Sequence, residues 1–111
     1  MTDRQRDILA LAVRAFAHTL SQIEQLAALG RETVERDTFL PLAAQQLGIR
    51  LGHDAAALPD SWREARAAVP WRSIRGLRNR LAHDYHQIDF EILWSVFTEH
   101  VPEIRRVLAT D

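Results

Sequence analysis

Residues 71–89 bring together side chains that bind anions. This segment, WRSIRGLRNRLAHDYHQID, holds four arginines, two histidines and one tyrosine. No acidic residue lies between Glu64 and Asp84, whereas five arginines do: Arg66, Arg72, Arg75, Arg78 and Arg80. The net charge of the whole chain is −1, so this positive charge is local. Guanidinium groups bind phosphate in a bidentate manner, and the segment therefore predicts an anion-binding surface. Codon bias is the competing explanation, because all 14 basic residues are arginine.

Arg78 stands where the helical pattern predicts a core residue. At about 100° per residue, one arc of the helix gathers the residues expected to pack inward: Trp71, Ile74, Leu77, Leu81, Ala82 and Tyr85. Arg78 lies in the middle of this arc. An unpaired guanidinium in an apolar interface is costly, so Arg78 must face a carboxylate, a wet cleft or an anion. A buried ion pair with an acid on a neighbouring helix remains an open alternative.

The spacing between Arg78 and His83 restricts how the two side chains could act together. Five residues along a helix separate them by about 140° around the axis and about 7.5 Å along it. One straight helix cannot easily bring both to a single phosphate. Either the helix ends near His83, or two copies of the helix meet across a dimer and share one groove.

The elements around this segment are predicted to be amphipathic helices. Apolar residues recur at three- and four-residue steps in the first 30 residues, where Thr2 and Gln5 form a potential capping box and Gly30 stops the helix. A second helix is predicted from about residue 38 to residue 52, with Pro41 tolerated in its first turn.

The second half of the chain continues the helical pattern. A loop after residue 52 is predicted to lead into a short helix near residues 60–64, and a third main helix covers residues 70–83. Asp89 can cap a fourth helix, which Pro102 kinks or restarts. Since no repeat or strand alternation is present, the sequence predicts one all-α domain over residues 1–111, an antiparallel bundle of about four to five helices.

Composition limits the other possibilities. The chain has no cysteine, so a disulfide framework and a thiolate metal site are both excluded. No signal peptide and no membrane-spanning window are expected, and the predicted location is cytoplasmic. The histidines are scattered without acids at ligand spacing, so we expect no metal and no cofactor.

The stretch PWRSIRGLRNRLAHDYHQIDFEILW, residues 70–94, resembles the signature of HEPN-domain proteins. It is most similar to the HepT ribonuclease toxins of prokaryotic toxin–antitoxin pairs, type VII, whose partner is a minimal nucleotidyltransferase. The family motif is Arg, a polar residue, three further positions, His, any residue and Tyr. Here Arg78, Asn79, His83 and Tyr85 occupy those positions, and the preceding PW and the following IDFEILW lie at family offsets.

The resemblance implies a homodimer with the motif in a cleft between protomers, and cleavage of RNA without a metal. His83 would act as general base or acid, since histidine is the side chain that ordinarily gains and loses a proton near neutral pH. Arg78 would stabilise the charge on the phosphoryl oxygens, and Asn79 would orient the phosphate or the imidazole. Attack by a 2′-hydroxyl would give a 2′,3′-cyclic phosphate and a 5′-hydroxyl.

Tyr85 is the residue through which the resemblance implies that the ribonuclease is regulated. In the resembled family the partner nucleotidyltransferase adds AMP to this tyrosine, and the added charge and bulk would keep RNA away from His83. The alternative is a tyrosine that merely closes a helix end, with its ring packed and its hydroxyl in water.

Two roles are possible for three further arginines, and more than one function is possible for the chain. Arg72, Arg75 and Arg80 are predicted to form an RNA-binding rim, with solvated helix arginines as the competitor. Trp71 is predicted to pack in the core or in a dimer interface. Besides an endoribonuclease, the chain could be a catalytically silent HEPN module that binds RNA or nucleotide. It could also be a structural dimerisation bundle in which Arg78 is ion-paired.

Overall fold

The computed structural model describes residues 1–83 and 89–109, with only the backbone of residues 82 and 83. Within these ranges the chain is helical and contains no strand, which confirms the all-α prediction. Seven α-helices follow one another there, with a π-helical turn, Val96–His100, joining the last two. They are α1 Asp3–Ala27, α2 Arg31–Arg36, α3 Leu40–Ala57, α4 Asp60–Glu64, α5 Trp71–His83, α6 Phe90–Ser95 and α7 Val101–Ala109. None of the described helices is long and apolar enough to cross a membrane.

The first helix begins and ends as the sequence predicts. The Thr2 hydroxyl accepts a hydrogen bond from the Gln5 amide at 3.1 Å, and the Gln5 side chain accepts one from the Thr2 amide at 2.8 Å. This reciprocal pair satisfies two amides that the helix leaves without partners. Gly30 has φ +90°, a left-handed conformation that favours glycine, and it separates α1 from α2. The sequence pattern did not predict α2, which has only six residues.

The predicted end of the second main helix is wrong. α3 continues past Gly52 to Ala57, through residues predicted to form a loop. Gly52 is not at a helix end but against α5: a Cβ there would lie 2.8 Å from the Arg78 amide nitrogen and 2.9 Å from the Ile74 carbonyl oxygen. Gly48, one turn earlier, packs equally closely against Leu81. These glycines therefore serve helix packing rather than helix termination.

Arg63 fixes the C-terminal end of α3. Its guanidinium is buried and donates to the carbonyl oxygens of Ala55 at 2.8 Å, Ala56 at 3.2 Å and Leu58 at 2.6 Å. It also forms an ion pair with Asp60. The last carbonyls of a helix have no partner within the helix, and here one side chain satisfies them.

The core lies where α1, α3 and α5 meet. Its fully buried side chains come mainly from these helices, with contributions from the C-terminal part: Phe16, Leu20, Ile23, Leu51, Ile74, Leu77, Leu93 and Ile104. Trp71 is half-buried and packs on this core, with its ring 5.7 Å from Phe16, as predicted. The apolar stripe of each helix thus determines the arrangement of the bundle.

The C-terminal helices have the predicted cap and the predicted irregularity. Asp89 accepts a hydrogen bond from the Ile92 amide at 3.2 Å and so begins α6. Before Pro102, the Val101 amide donates to the Val96 carbonyl, five residues back, which makes a π turn. Proline has no amide hydrogen to donate within a helix. The kink or restart expected at Pro102 is therefore present as a widened π turn just before it.

An ion pair between α2 and α6 connects the two halves of the chain. Arg31 in α2 donates to both carboxylate oxygens of Glu91 at the start of α6. These hydrogen bonds lower the pKa of the Glu91 carboxyl and raise the pKa of the Arg31 guanidinium. The Arg31 guanidinium also lies 5.7 Å from the centre of the Phe90 ring. Together these contacts hold the start of α6 against α2.

Candidate functional site

One surface cavity collects most of the residues that the sequence singled out. It has a volume of about 220 Å³ and is lined by Ala56, Arg72, Arg75, Gly76, Arg78 and Asn79. The three arginines and Asn79 are exposed. We call this the arginine cavity. Three guanidinium groups and one amide around a single open cavity give a surface on which phosphate groups could be held.

The position of Arg78 follows from the small residues of α3. Gly48, Gly52 and Ala56 recur every four residues and form a stripe on α3, and a Cβ on Gly52 would lie only 3.2 Å from the Cβ of Arg78. The backbone of Arg78 therefore faces α3, as the helical pattern predicts. Its side chain is nevertheless exposed and reaches the arginine cavity, where Ala56 is also found. A larger residue at position 52 would separate α3 from α5.

The buried ion pair considered for Arg78 is not found. The side chain is exposed rather than buried, and among residues 1–83 and 89–109 no carboxylate forms a salt bridge with Arg72, Arg75 or Arg78. The adjoining sequence has no acid either between Glu64 and Asp84. The positive potential of the arginine cavity is therefore not neutralised by the described part of the chain.

Arg80 is separated from this group. It is exposed, like the other arginines, but it is not one of the residues that line the arginine cavity. On α5 it lies about 100° around the axis from Asn79, which turns it to another side of the helix. An RNA-binding role for Arg80 stays a prediction.

The remaining predicted residues fall where the structure describes little or nothing. The described part of α5 runs to His83, whose backbone is helical and whose side chain lies outside the description. Tyr85 lies outside the described residues. The geometry of the proposed pair Arg78 and His83 therefore stays a prediction.

A second cavity, larger than the first, adjoins the arginine cavity. Its volume is about 560 Å³, and it lies between α4, the following turn and the start of α5. Arg72 and Arg75 line both cavities. The other residues of its wall are Asp60, Arg63, Glu64, Ala67, Val69 and Trp71. We call this the Trp71 cavity. Sequence periodicity did not indicate it, because it depends on how a short helix packs against a long one.

Metal ligands are not grouped in the described ranges. There, no set of three or more His, Asp or Glu side chains is close enough to hold a metal ion. The chemistry that the described site offers is that of guanidinium and amide donors.

Comparison with known proteins gives a consistent family match. Residues 16–110 match the family model described as "Ribonuclease HepT-like". A protein of Caldanaerobacter subterraneus subsp. tengcongensis named as a candidate RNase is 29% identical over 84 residues, which are 76% of this chain and 75% of the relative.

Two archaeal relatives have similar names. A candidate RNase of Methanocaldococcus jannaschii is 38% identical over 56 residues, or 50% of this chain and 51% of the relative. A protein of Thermococcus cleftensis named as a probable ribonuclease HepT is 25% identical over 87 residues, or 75% of this chain and 79% of the relative. No solved structure matches.

Proposed function

The chain belongs to the HepT-like ribonuclease family, and from that premise we propose that it is an endoribonuclease that cuts RNA without a metal ion. The family and the names of its relatives support ribonuclease activity in general. The mechanism, the site residues and the biological role are our proposal.

The arginine cavity is the observation that carries this proposal. Arg72, Arg75, Arg78 and Asn79 line it, and His83 follows Asn79 by about one helical turn on the same side of α5. An RNA backbone lying on α5 would meet several guanidinium groups that have no carboxylate partner among the described residues. Phosphate contacts of this kind position a nucleic acid strand.

In the proposed reaction, the 2′-hydroxyl of the RNA attacks the adjacent phosphorus. His83 accepts the hydroxyl proton as the 2′-oxygen–phosphorus bond forms, and the bond from phosphorus to the 5′-oxygen breaks. The leaving 5′-oxygen takes a proton from water to give a 5′-hydroxyl, His83 later returns its proton to solvent, and the other product is a 2′,3′-cyclic phosphate. Arg78 stabilises the charge that develops on the phosphoryl oxygens, and Asn79 orients the phosphate or the imidazole.

The test is RNA cleavage in the presence of EDTA. We expect wild type to cut, and Arg78→Ala and His83→Ala to lose activity by about 10²- to 10³-fold, since each removes a group that acts in the transition state. Arg36→Ala is the matched control, because Arg36 is an exposed arginine on α2. If both site variants cut as fast as wild type, the assignment is wrong. RNA binding that depends on salt but gives no product would instead indicate a silent binding module.

We also propose that the protein is the toxin of a two-gene pair and that a minimal nucleotidyltransferase silences it by adding AMP to Tyr85. Negative charge and bulk two residues from His83 would exclude the RNA backbone. After co-expression with such an enzyme, the intact mass should rise by one or more AMP groups, and Tyr85→Phe should abolish the rise. An unchanged mass for the wild-type protein would remove this part of the proposal.

A further inference from the structure

The Trp71 cavity continues the arginine cavity along α5. The two share Arg72 and Arg75, so a strand whose phosphates lie on these arginines would pass the opening of the Trp71 cavity. With about 560 Å³, this cavity falls in the size range of small-ligand sites. A role for this cavity in binding part of the RNA rests on the proposed function.

The wall of the Trp71 cavity is fixed in place. The Trp71 indole nitrogen donates to the carbonyl oxygens of Arg63 and Arg66, each at 3.0 Å. Its ring also packs 5.7 Å from the Phe16 ring and 6.0 Å from the Trp62 ring. An aromatic side chain held on several sides cannot collapse into the cavity. The half-buried Trp71 ring lines the cavity, and an exposed aromatic ring is a surface on which a nucleobase can stack.

The Trp71 cavity also contains one carboxylate that is available to a ligand. Asp60 is occupied, because it pairs with the buried Arg63 guanidinium. Glu64 is exposed, lines the same cavity, and forms no salt bridge or hydrogen bond with any residue in the described ranges. Although Arg72 and Arg75 line the cavity too, neither pairs with it. Among residues 1–83 and 89–109, the Glu64 carboxylate is therefore an acceptor without a partner, in a cavity that Arg72 and Arg75 also line.

A carboxylate that only accepts hydrogen bonds selects among the four bases. Guanine places two donors side by side, N1–H and the N2 amino group, and they match the two oxygens of a carboxylate. Adenine and cytosine place a ring acceptor beside their amino group, and uracil places carbonyls on both sides of its N3–H. These three bases would each set an acceptor against one of the carboxylate oxygens.

We propose that the Trp71 cavity binds a guanine base of the RNA strand whose phosphates lie on Arg72 and Arg75. Glu64 accepts hydrogen bonds from guanine N1–H and N2–H, while Trp71 forms the apolar wall. This makes Glu64 a specificity-determining residue for the position of the cut and gives it no part in the bond-breaking step.

The experiment compares short RNAs that differ in one base near the cut, with guanosine, inosine or adenosine at that position. Inosine lacks only the N2 amino group. We expect wild type to cleave the guanosine RNA about tenfold faster in kcat/KM than the inosine RNA, since one charge-assisted hydrogen bond is lost. Glu64→Gln should reduce this preference, and it should also cleave the inosine RNA more slowly than wild type does, because the inosine N1–H still donates to the Glu64 carboxylate. Glu32→Gln, an exposed glutamate of α2, is the control and should keep the preference.

A second measurement separates this inference from the proposed function. Binding of 2′-O-methyl RNAs, which lack the attacking hydroxyl, is followed by fluorescence anisotropy with the same base series. A guanine preference in binding that Glu64→Gln abolishes supports the base site even if no RNA is cut. Cleavage or binding with equal preference in wild type and Glu64→Gln overturns the inference and leaves the ribonuclease assignment intact.

Discussion

Arg78 combines a backbone at a helix interface with a side chain in solvent. Its Cβ faces Gly52, yet its guanidinium is exposed beside Arg75 and Asn79 at the arginine cavity. No carboxylate of residues 1–83 or 89–109 pairs with it. A residue in this position has little reason to be an arginine for stability, because an exposed, unpaired charge contributes little to folding.

Replacing Arg78 with methionine should therefore separate activity from stability. We expect Arg78→Met to change the free energy of unfolding by no more than about 0.5 kcal/mol, as for other exposed positions. RNA cleavage should be lost as in Arg78→Ala. Urea unfolding measures the first effect and a cleavage assay the second. A clear loss of stability would mean that the guanidinium has a structural partner.

At the scale of the elements, α3 decides how close α5 can come. Gly48 and Gly52 pack against α5, and the α5 atoms nearest to a Cβ on Gly52 are backbone atoms. Backbone atoms of a helix cannot move aside like the end of a flexible side chain. At Gly52 the backbones of the two helices are thus in contact, and this contact places Arg78 at the edge of the interface.

Two glycine-to-alanine changes test this contact. Gly52→Ala should destabilise the protein by about 1–3 kcal/mol, because the new methyl group overlaps the α5 backbone. Gly76→Ala is the matched control: it lies within α5 and has no neighbour within 4 Å, so a gain of about 0.5–1 kcal/mol is expected from helix propensity. Thermal unfolding measures the change in stability of both variants. Equal changes would contradict the close packing of Gly52 against α5.

Arg63 also connects two helices, because its side chain caps the end of α3 and lines the Trp71 cavity. Arg63→Met keeps the apolar stem but removes the side-chain donor to the carbonyls of Ala56 and Leu58, and it leaves the Ala55 carbonyl with only the Leu58 amide. The expected loss is about 1–3 kcal/mol, measured by urea unfolding. Arg36→Met, which removes an exposed ion pair with Glu32, should cost about 0.5 kcal/mol or less. Similar losses in the two variants would argue against the capping role.

In the whole molecule, Arg78 and His83 must reach the same phosphate although they lie about 140° apart around α5. Their spacing suggests a groove formed by two copies of α5. The described chain also exposes large apolar side chains, among them Ile8 and Leu11 on α1 and Phe39 next to α3, as proteins with a partner often do. We propose that this partner is a second copy of the chain, as the family resemblance implies.

Complementation between inactive variants tests a shared groove. Arg78→Ala and His83→Ala are each expected to be inactive alone. If a site takes Arg78 from one protomer and His83 from the other, unfolding the two variants together and refolding them should restore part of the activity, since each mixed dimer has one intact site. Sedimentation velocity establishes the dimer independently. Dimers that form without any recovery would mean that both residues of a site come from the same chain.

Local sequence determined the features that depend on neighbours in the chain. The capping box at Thr2 and Gln5, the cap at Asp89 and the helix over residues 71–83 were all predictable, because short-range hydrogen bonds and apolar periodicity fix them. The basic segment and the family motif were also visible in the sequence.

Tertiary structure alone decided the features that depend on distant residues. By local propensity Gly52 ends a helix, yet α3 continues because packing against α5 outweighs the cost of a glycine. The same contact brings Arg78 to the surface, although the pattern placed it inside. The role of Arg63 and the Trp71 cavity depend on how α4 and the turn after it pack on α3 and α5. Periodicity within a helix predicts which face is apolar. It does not predict which other helix will pack against that face, because that depends on residues distant in the chain.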